Sequence, residues 1–278
     1  MAVGSRTLAI LLFAAAGFPA AASSQGRPLP QPGAGQQAHG VRIEEVSRGS
    51  VALAPDTLPA WRSRADSMTS VRVRRAAARD SSLRVVVSVA DRRLWVVQGR
   101  DTLRAAPVAV GMGRLLDYGG HKWTFATPRG VRRVIGKTAA PKWRPPDWAY
   151  AEVAREHHLK LAHMPARGAV TLHDGRKLVV RDDMVGVMMP DGFAPLPTDE
   201  HIVFDSTLFV PPLGTLNRAI DGELGLYQLD MGGGYLLHGT SRTNSIGSAT
   251  THGCVRLGDD DLEWLYTFVP VGTKVYIY

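Results

Sequence analysis

The sequence predicts a mainly β domain with a few helices, and three of its features support that prediction. Short runs rich in Val, Leu and Ile alternate with turn residues from residue 83 to the end of the chain, a pattern typical of strands joined by tight turns. The C-terminal residues 274–278 alternate like a final strand. Asp259, Asp260 and Asp261 precede an apolar stretch, and negative charge at that position favours the start of a helix.

The predicted strands follow one another along the chain, separated by turn signals. Residues 90–92, Ala-Asp-Arg, form the first turn, and three glycines at residues 232–234 form the last. Residues 143–146, Trp-Arg-Pro-Pro, interrupt regular structure, because proline fits neither a helix interior nor a central strand. Strands are expected at residues 83–89, 94–97, 102–110, 131–135, 226–230, 235–237 and 274–278, with a hairpin at 178–180 and 184–189.

Two more helices and one long connection complete this description. An Arg-rich helix is predicted at residues 61–79 and another at residues 149–164. Residues 151–206 are far longer than the roughly 4–6 residues of most connections in compact domains. We interpret this segment as an insertion that forms a lid over the functional site. The alternative is a peripheral decoration that pads the sheets.

The first 24 residues differ from the rest of the chain. Arg6 precedes an apolar run at residues 8–18, and small residues follow at 20–24, the order typical of a secretory signal peptide. The run is shorter than the ~20 residues of a membrane span; an uncleaved anchor is the alternative. We expect residues 1–24 to be removed and residues 25–82 to form a flexible linker and N-terminal segment. Residues 83–278 then form an exported domain in the periplasm or cell envelope, without stable membrane insertion.

The chain of 278 residues has a formal net charge of +8, and hydrophobic residues make up 45% of it. That hydrophobic fraction is enough for a sizeable core. A basic exported protein is attracted to anionic polymers, of which the cell wall is one, although the charge can also serve only solubility. No Lys/Arg cluster is interleaved with aromatic residues, so nucleic acid is not an expected partner.

The chain has one cysteine, Cys254, within the sequence Thr-His-Gly-Cys-Val-Arg at residues 251–256. A lone cysteine is ordinarily a small buried apolar residue. An exported protein, however, lives where thiols oxidise, and a single cysteine has no partner for a structural disulfide. Its retention indicates that its reactivity is used. Gly253 permits the tight backbone that presents a nucleophile, and successive N–H groups around it can form an oxyanion site.

Two histidines are candidates for the base that this thiol requires. A thiol attacks as its thiolate, so it needs a proton acceptor within hydrogen-bond reach. His252 lies two residues before Cys254 and would share a face with it in an extended backbone. His238 lies sixteen residues before Cys254, at the end of a predicted strand. The intervening residues 241–250, rich in Ser, Thr, Gly and Asn, are expected to form a loop that returns the chain to it.

These residues resemble the signature of the L,D-transpeptidase family. His-Gly-Thr at residues 238–240 and Thr-His-Gly-Cys-Val-Arg-Leu at residues 251–257 occur together near the end of the domain. Trp-x-Pro-Pro at residues 143–146 and Pro-Leu-Gly-Thr at residues 212–215 are similar to segments upstream of the signature. The resemblance covers roughly residues 83–278. Arg256 departs from the commonest pattern, which has Asn there, although an Arg variant is also familiar.

The resemblance implies a β-sandwich of mixed sheets and a two-step acyl transfer that cross-links peptidoglycan in cell wall biogenesis and the maintenance of cell shape. Cys254 would attack the carbonyl of the third stem-peptide residue, usually a diamino acid, and expel the terminal D-alanine. His238 would accept the thiol proton and later deprotonate the acceptor amine. The carbonyl of Gly239 would hold the imidazole in the required tautomer.

The remaining site residues are also assigned by the resemblance. Arg256 would bind a substrate carboxylate bidentately, and Thr251 is placed with it on the substrate-binding side. The alternative for Arg256 is a salt bridge to Asp259 or Asp260. Backbone N–H groups would stabilise the oxyanion, namely those near His252, Gly253 and Cys254.

No metal or cofactor is expected. Helical metal ligands are spaced i and i+4, which the candidate histidines are not, so a solvated helix face is the preferred interpretation. No Gly-x-Ser-x-Gly elbow of a serine hydrolase is present. Two alternatives to a transpeptidase remain open: a hydrolytic L,D-carboxypeptidase or amidase that uses the same thioester, and a non-catalytic wall-binding protein of the same fold. The candidate metal ligands were His157, His158, His163 and His173.

Overall fold

The computed structural model describes residues 63–278 of the chain. The predicted signal peptide and the part of the predicted linker up to residue 62 therefore lie outside the described residues. Between residues 63 and 278 there are three α-helices, two short 3-10 helices and twenty strands. None of these helices is long and apolar enough to cross a membrane.

The elements alternate between short strands and a few helices. The helices are α1 (Arg64–Arg79), α2 (Asp147–Glu156), α3 (Asp259–Phe268), and the 3-10 helices η1 (Leu216–Arg218) and η2 (Thr243–Ser245). The first ten strands are β1 (Arg84–Ser88), β2 (Arg93–Gln98), β3 (Asp101–Pro107), β4 (Val110–Gly111), β5 (Arg114–Tyr118), β6 (His121–Phe125), β7 (Gly130–Arg133), β8 (Gly136–Ala139), β9 (Lys160–His163) and β10 (Ala169–Thr171). The others are β11 (Lys177–Arg181), β12 (Met184–Met189), β13 (Gly192–Pro195), β14 (Ile202–Phe204), β15 (Thr207–Val210), β16 (Tyr227–Asp230), β17 (Leu236–His238), β18 (Ala249–Thr251), β19 (Val255–Arg256) and β20 (Lys274–Ile277).

Two mixed sheets contribute side chains to one main hydrophobic core. The first sheet has the order β3-β2-β1-β20-β7, and the second has the order β19-β17-β16-β8. Val85 and Val87 of the first sheet, Leu237 of the second, and Leu262 and Leu265 of α3 are all fully buried there. Removal of apolar surface from water, at about 25 cal/mol per Å², is the main stabilising contribution. The predicted mainly β fold of mixed sheets with a few helices is confirmed.

Helix α1, the Arg-rich helix predicted from the sequence, packs against the C-terminal strand. Val73 and Ala77 are buried on one side of the helix and contact Tyr276 of β20. The carboxylate of Asp80, at the end of the helix, accepts hydrogen bonds from Lys274 Nζ at 2.8 Å and from the Tyr276 hydroxyl at 2.7 Å. The Lys274 bond is the main reason that the pKa of Asp80 lies well below its usual value. Part of the predicted N-terminal segment therefore belongs to the folded structure.

Most of the predicted strands form, and the structure adds others, among them the hairpins β5–β6 and β14–β15. The predicted hairpin appears as β11 and β12, which pair antiparallel. The strand predicted at residues 102–110 divides into β3 and β4, because β4 leaves the first sheet and pairs in parallel with β18. The hairpin β5–β6 was not predicted. Its sequence mixes charged and aromatic residues without a clear period.

The predicted lid segment, residues 151–206, lies within a longer excursion of the chain, residues 147–218, which we call the insertion. The chain leaves the second sheet after β8 and returns to it at β16. β8 and β16 pair directly with each other, so the sheet is continuous without the insertion. The insertion has its own antiparallel sheet, of order β10-β11-β12-β13, and β14, β15 and β9 form another. Leu178, Val185 and Ile202 belong to a separate apolar cluster that serves these strands.

The helix predicted at residues 149–164 is wrong in its second half. Helix α2 ends at Glu156, and His158 has a φ of +54°, a left-handed conformation that does not continue a helix. The chain then forms β9, in which Lys160 pairs in parallel with Thr207 of β15. A strand that depends on a partner so far along the chain leaves no sign in its local periodicity.

Candidate active site

The predicted base ends strand β17, and the predicted nucleophile directly precedes β19, the neighbouring parallel strand. In the pairing of β17 with β19, Leu237 lies opposite Val255 and His238 lies opposite Arg256. Leu237 and Val255 point into the main core and are fully buried. Because successive side chains of a strand alternate between faces, His238 and Arg256 lie on the other face. Cys254 lies directly before Val255, in the turn that leads into β19, where its thiol is within reach of the charge of Arg256.

The imidazole of His238 is buried and neutral. Its side chain is 5% exposed, and its Nδ1 lies 2.7 Å from the carbonyl oxygen of Gly239. A carbonyl only accepts, so Nδ1 carries the hydrogen and Nε2 has a free lone pair. The pKa of His238 is lowered to about 3, mainly by burial and also by the charge of Arg256, while the hydrogen bond to Gly239 opposes both effects.

The backbone of Gly239 approaches its neighbours too closely for any side chain. A Cβ at this position would lie 2.7 Å from a carboxylate oxygen of Asp259 and 3.2 Å from Cα of Gly225. Glycine therefore lets the carbonyl of residue 239 reach His238 while the backbone packs against α3.

Cys254 presents a free thiol with some access to solvent. Its Sγ lies 3.8 Å from the carbonyl oxygen of Gly234, to which the thiol donates a weak hydrogen bond. Burial of the sulfur raises the pKa of the Cys254 thiol, against the opposing effects of a backbone hydrogen bond from Leu236 and the charge of Arg256. The Cys254 thiol and the His238 imidazole are therefore both neutral in the resting protein.

The turn at residues 251–254 is closed by its own side chains. The buried hydroxyl of Thr251 donates to the carbonyl of Cys254 at 2.6 Å and accepts from the N–H of Gly253 at 3.2 Å. Gly253 has a φ of +134°, and a Cβ there would lie 2.9 Å from the ring of Tyr235. Thr251 therefore shapes the turn, while its contact with substrate stays a prediction. Since the N–H of Gly253 is engaged, the other predicted oxyanion donors are the N–H groups of His252 and Cys254.

His252 is held by side chains from elsewhere in the chain. Its Nε2 lies 2.9 Å from a carboxylate oxygen of Glu152. Its ring stacks on Trp148 with the centroids 4.0 Å apart, and it meets Phe125 edge-on at 4.5 Å. Sequence reasoning missed these three contacting residues. Glu152 lies 100 positions from His252 in the sequence, and no local pattern connects them.

Arg256 lies opposite His238, and it forms no ion pair with a carboxylate among residues 63–278. Its Nη1 donates to the hydroxyl of Ser245 at 3.0 Å, and its buried Nε has no hydrogen-bond partner. Burial lowers the pKa of the Arg256 guanidinium, although Glu223 nearby raises it. The alternative salt bridge to Asp259 or Asp260 is wrong, since the described residues contain no ion pair between them.

The four histidines considered as metal ligands are scattered. His163 lies on strand β9, where it pairs with Asp147 at 2.9 Å, and His158 follows the end of α2. The predicted solvated helix face therefore does not exist as such. Among residues 63–278, no group of three or more His, Cys, Asp or Glu side chains is placed to hold a metal ion.

The fold and the site together define a mainly β protein with a neutral histidine on one strand and a cysteine directly before the adjacent parallel strand. The family model described as the YkuD L,D-transpeptidase catalytic domain matches residues 82–277. The chain therefore belongs to the L,D-transpeptidase family, as the signature in its sequence predicts.

Individual relatives match over shorter stretches. The chain is 47% identical over 55 residues to "Probable L,D-transpeptidase YbiS" of Escherichia coli, which is 20% of this chain and 18% of that protein. It is 26% identical over 197 residues to "Probable L,D-transpeptidase YcfS" of the same species, which is 69% of this chain and 43% of that protein. The matched stretches thus span less than half of these curated relatives.

Solved structures of L,D-transpeptidases were also matched. One from Xylanimonas cellulosilytica is 19% identical with a TM-score of 0.35, covering 72% of this chain and 62% of that one. Another, from Mycobacterium smegmatis, is 16% identical with a TM-score of 0.36, covering 70% of this chain and 58% of that one.

Proposed function

We propose that this chain is an exported cysteine acyltransferase that cross-links peptidoglycan stem peptides through a thioester on Cys254. The observation that supports the proposal is the register of β17 and β19, in which His238 lies opposite Arg256, two residues after Cys254. Membership of the L,D-transpeptidase family supports the substrate class.

In the first step, Cys254 Sγ attacks the carbonyl carbon of the third stem-peptide residue. The thiol proton passes to Nε2 of His238, and the new C–S bond leaves the former carbonyl oxygen negatively charged. Backbone N–H groups of the turn at residues 251–254 stabilise this oxyanion. When the intermediate collapses, the C–N bond breaks, and the leaving D-alanine amine takes the proton back from His238.

In the second step, an acceptor amine attacks the thioester carbonyl. His238 takes a proton from the amine, the C–S bond breaks, and the sulfur regains a proton from His238. The enzyme returns to its starting state, and one amide bond has replaced another. No oxidant, metal or cofactor takes part in this scheme.

The Cys254 thiol and the His238 imidazole are both neutral before the reaction, and this determines when the proton moves. Burial favours the uncharged form of both groups, as the pKa directions of Cys254 and His238 indicate. A separated thiolate and imidazolium is therefore not the resting state. The proton leaves the sulfur as the C–S bond forms, and the charge of Arg256 stabilises the developing negative charge at short range.

Arg256 also supports the choice of substrate. A guanidinium with a buried, unsatisfied Nε beside the nucleophile suits a carboxylate ligand, because such a ligand supplies the missing acceptor. Stem peptides carry carboxylates, and the loop hydroxyl of Ser245 that Arg256 contacts is replaceable by such a group.

Export to the periplasm or cell envelope is the second part of the proposal. It is supported by the charge, apolar run and small residues of positions 1–24 and by the single cysteine of the chain. Fractionation of cells that express the full chain and a variant lacking residues 1–24 tests it. Recovery of the full chain in the cytoplasm, unprocessed, contradicts it.

The test of the chemistry uses purified protein that begins at residue 25. Incubation with a tetrapeptide donor should increase the intact mass by one acyl group on Cys254, and addition of an acceptor peptide should release a cross-linked dimer. Release of the tripeptide acid alone identifies the hydrolytic alternative. Binding to sacculi without any acyl-enzyme identifies a non-catalytic wall-binding protein.

A further inference from the structure

Two residues of helix α2 hold the imidazole of His252 in place. Trp148 stacks on its face at 4.0 Å, and Glu152 bonds its Nε2 at 2.9 Å. The two residues are one turn apart on α2, so they lie on the same side of that helix. The side chains of His252 and Glu152 are 29% and 25% exposed, which leaves the pair only partly screened by water.

Helix α2 is itself fixed at its N terminus. Arg218, only 6% exposed, donates to Asp147 Oδ1 at 2.8 Å and to the carbonyl oxygens of Pro145 and Pro211 at 3.0 Å each. The two ends of the insertion are thereby joined by one guanidinium. A bonded cation with several acceptors in a buried position holds its geometry tightly.

The two upstream sequence motifs belong to the same region, where the ends of the insertion meet. Trp143, in the Trp-x-Pro-Pro motif, exchanges two backbone hydrogen bonds of 2.8 Å with Ile220. In the Pro-Leu-Gly-Thr motif, the hydroxyl of Thr215 donates to the carbonyl of Pro212 at 2.8 Å, and η1 with Arg218 follows directly. These motifs thus place α2 rather than touch Cys254.

We propose that Glu152 is a positioning residue of the active site. Together with Trp148 it clamps His252, and the clamp holds the turn at residues 251–254 with its N–H groups directed at the carbonyl that Cys254 attacks. The inference rests on the proposed acyl transfer and assigns the insertion a role in it.

The clamp acts on geometry and not as a base. Nε2 of His252 is occupied by Glu152, so His252 has no free acceptor on that side for the thiol proton. His252 is adjacent to Gly253, however, so contacts that fix its side chain also restrain the backbone of residue 252 and the peptide units that carry the oxyanion donors. A displacement of about 1 Å in such a site can cost roughly a hundredfold in rate.

Two reactions at the sulfur of Cys254 distinguish a positioning role of Glu152 from a general effect of its substitution on folding. Acylation by a carbapenem forms an oxyanion and needs the turn, whereas alkylation by iodoacetamide forms none and needs only a reachable thiol. Because Cys254 is the only cysteine, both reactions report on it alone. The variants are Glu152→Ala, Glu152→Gln, which keeps an acceptor for Nε2–H, and Glu156→Ala as the control. Glu156 is exposed on the same helix and makes no ion pair within residues 63–278.

For Glu152→Ala we expect acylation to slow by about tenfold or more, with alkylation within twofold of the parent. In peptide transfer, kcat should fall while KM changes little. Glu152→Gln should recover most of the loss, and Glu156→Ala should match the parent. Trp148→Leu, which removes the stacking and keeps the carboxylate, provides a second test if Glu152→Ala does not fold.

Three results overturn the inference. They are an unchanged acylation rate in Glu152→Ala, equal losses of acylation and alkylation, and no recovery in Glu152→Gln. Absence of acylation in the parent chain would instead contradict the proposed function, so the two failures are distinguishable.

Discussion

The two histidines of the site are held by two differently built regions of the molecule. His238 belongs to the second sheet, where Leu237 and its neighbours are fixed by a fully buried apolar core. His252 faces the insertion, which reaches the site through polar and aromatic contacts such as Glu152 and Trp148. The first region depends on burial, and the second depends on a few directed contacts.

This difference has consequences for how each region responds to change. Apolar packing is non-directional and is spread over many side chains, so it places a strand without any single decisive contact. A hydrogen-bonded clamp depends on orientation and is lost when one partner is removed. We therefore expect damage to the apolar packing of the sheet to affect folding, and damage to the contacts between the insertion and His252 to affect the rate of the chemistry.

The largest effect tests the chemistry of the sheet region. Cys254→Ala should fold like the parent and lose all acyl transfer, because no other thiol is present. Intact-mass measurement of the acyl-enzyme and a thermal melt are the two readouts. Turnover above a few per cent of the parent contradicts the assignment, and loss of folding indicates a core residue instead.

The next effect compares the two histidines directly. His238→Ala should lower acylation by about 10²–10⁴-fold, the range for removal of a general base. His252→Ala should lower it less, because its role is to hold the turn. Single-turnover acylation rates measure both, with circular dichroism to verify folding. A larger loss for His252→Ala would reverse the roles.

An intermediate effect is expected at the base of the insertion. Arg218→Met removes the guanidinium that donates to Pro145, Pro211 and Asp147, so it should loosen α2. The buried acceptors that are left unpaired should cost about 1–3 kcal/mol of stability. Hydrogen exchange should then accelerate in the insertion but not in β17. Arg167→Met, at an exposed position, is the control. Equal acceleration in both regions would show that they unfold as one unit.

A smaller change concerns the lid hypothesis for the insertion. Replacing residues 169–195, which comprise β10 to β13, with a Gly-Ser linker keeps α2 and its clamp. Cys254 should remain acylable, while hydrolysis should increase relative to cross-linking, because a lid limits the access of water to the thioester. The ratio of tripeptide acid to dimer measures this. An unchanged ratio in a folded variant favours the peripheral decoration.

The smallest effect is the loss of stability in acid. The pKa of buried His238 is lowered to about 3 from 6.5, and that of His201 in the insertion to about 4, mainly by burial. Between the folded-state pKa of each histidine and its ordinary value of 6.5, the unfolded chain binds more protons than the folded chain. The contribution of each histidine to the free energy of unfolding is therefore full above pH 6.5 and is lost as the pH falls. In His238→Asn and in His201→Asn, the urea midpoint of unfolding should change less between pH 7 and pH 4 than it does in the parent. Parallel slopes in parent and variants would contradict this.

Local patterns predicted the parts of this protein that depend on near neighbours. The composition of residues 241–250 predicted a loop that returns the chain from His238 toward Cys254, and the three aspartates marked the start of α3. The hairpin of β11 and β12 was also visible. The end of α2 was not, because Lys160 adopts its strand only by pairing with Thr207.

The family, the candidate nucleophile and the candidate base follow from the sequence, because the residues that indicate them lie in two short motifs near the end of the domain. Only the tertiary structure decided the charge state of His238, because burial is a property of the whole core and not of the motif. It also decided that His252 contacts Glu152 and Trp148. Those contacts join residues about a hundred positions apart, and folding alone brings them within hydrogen-bond distance.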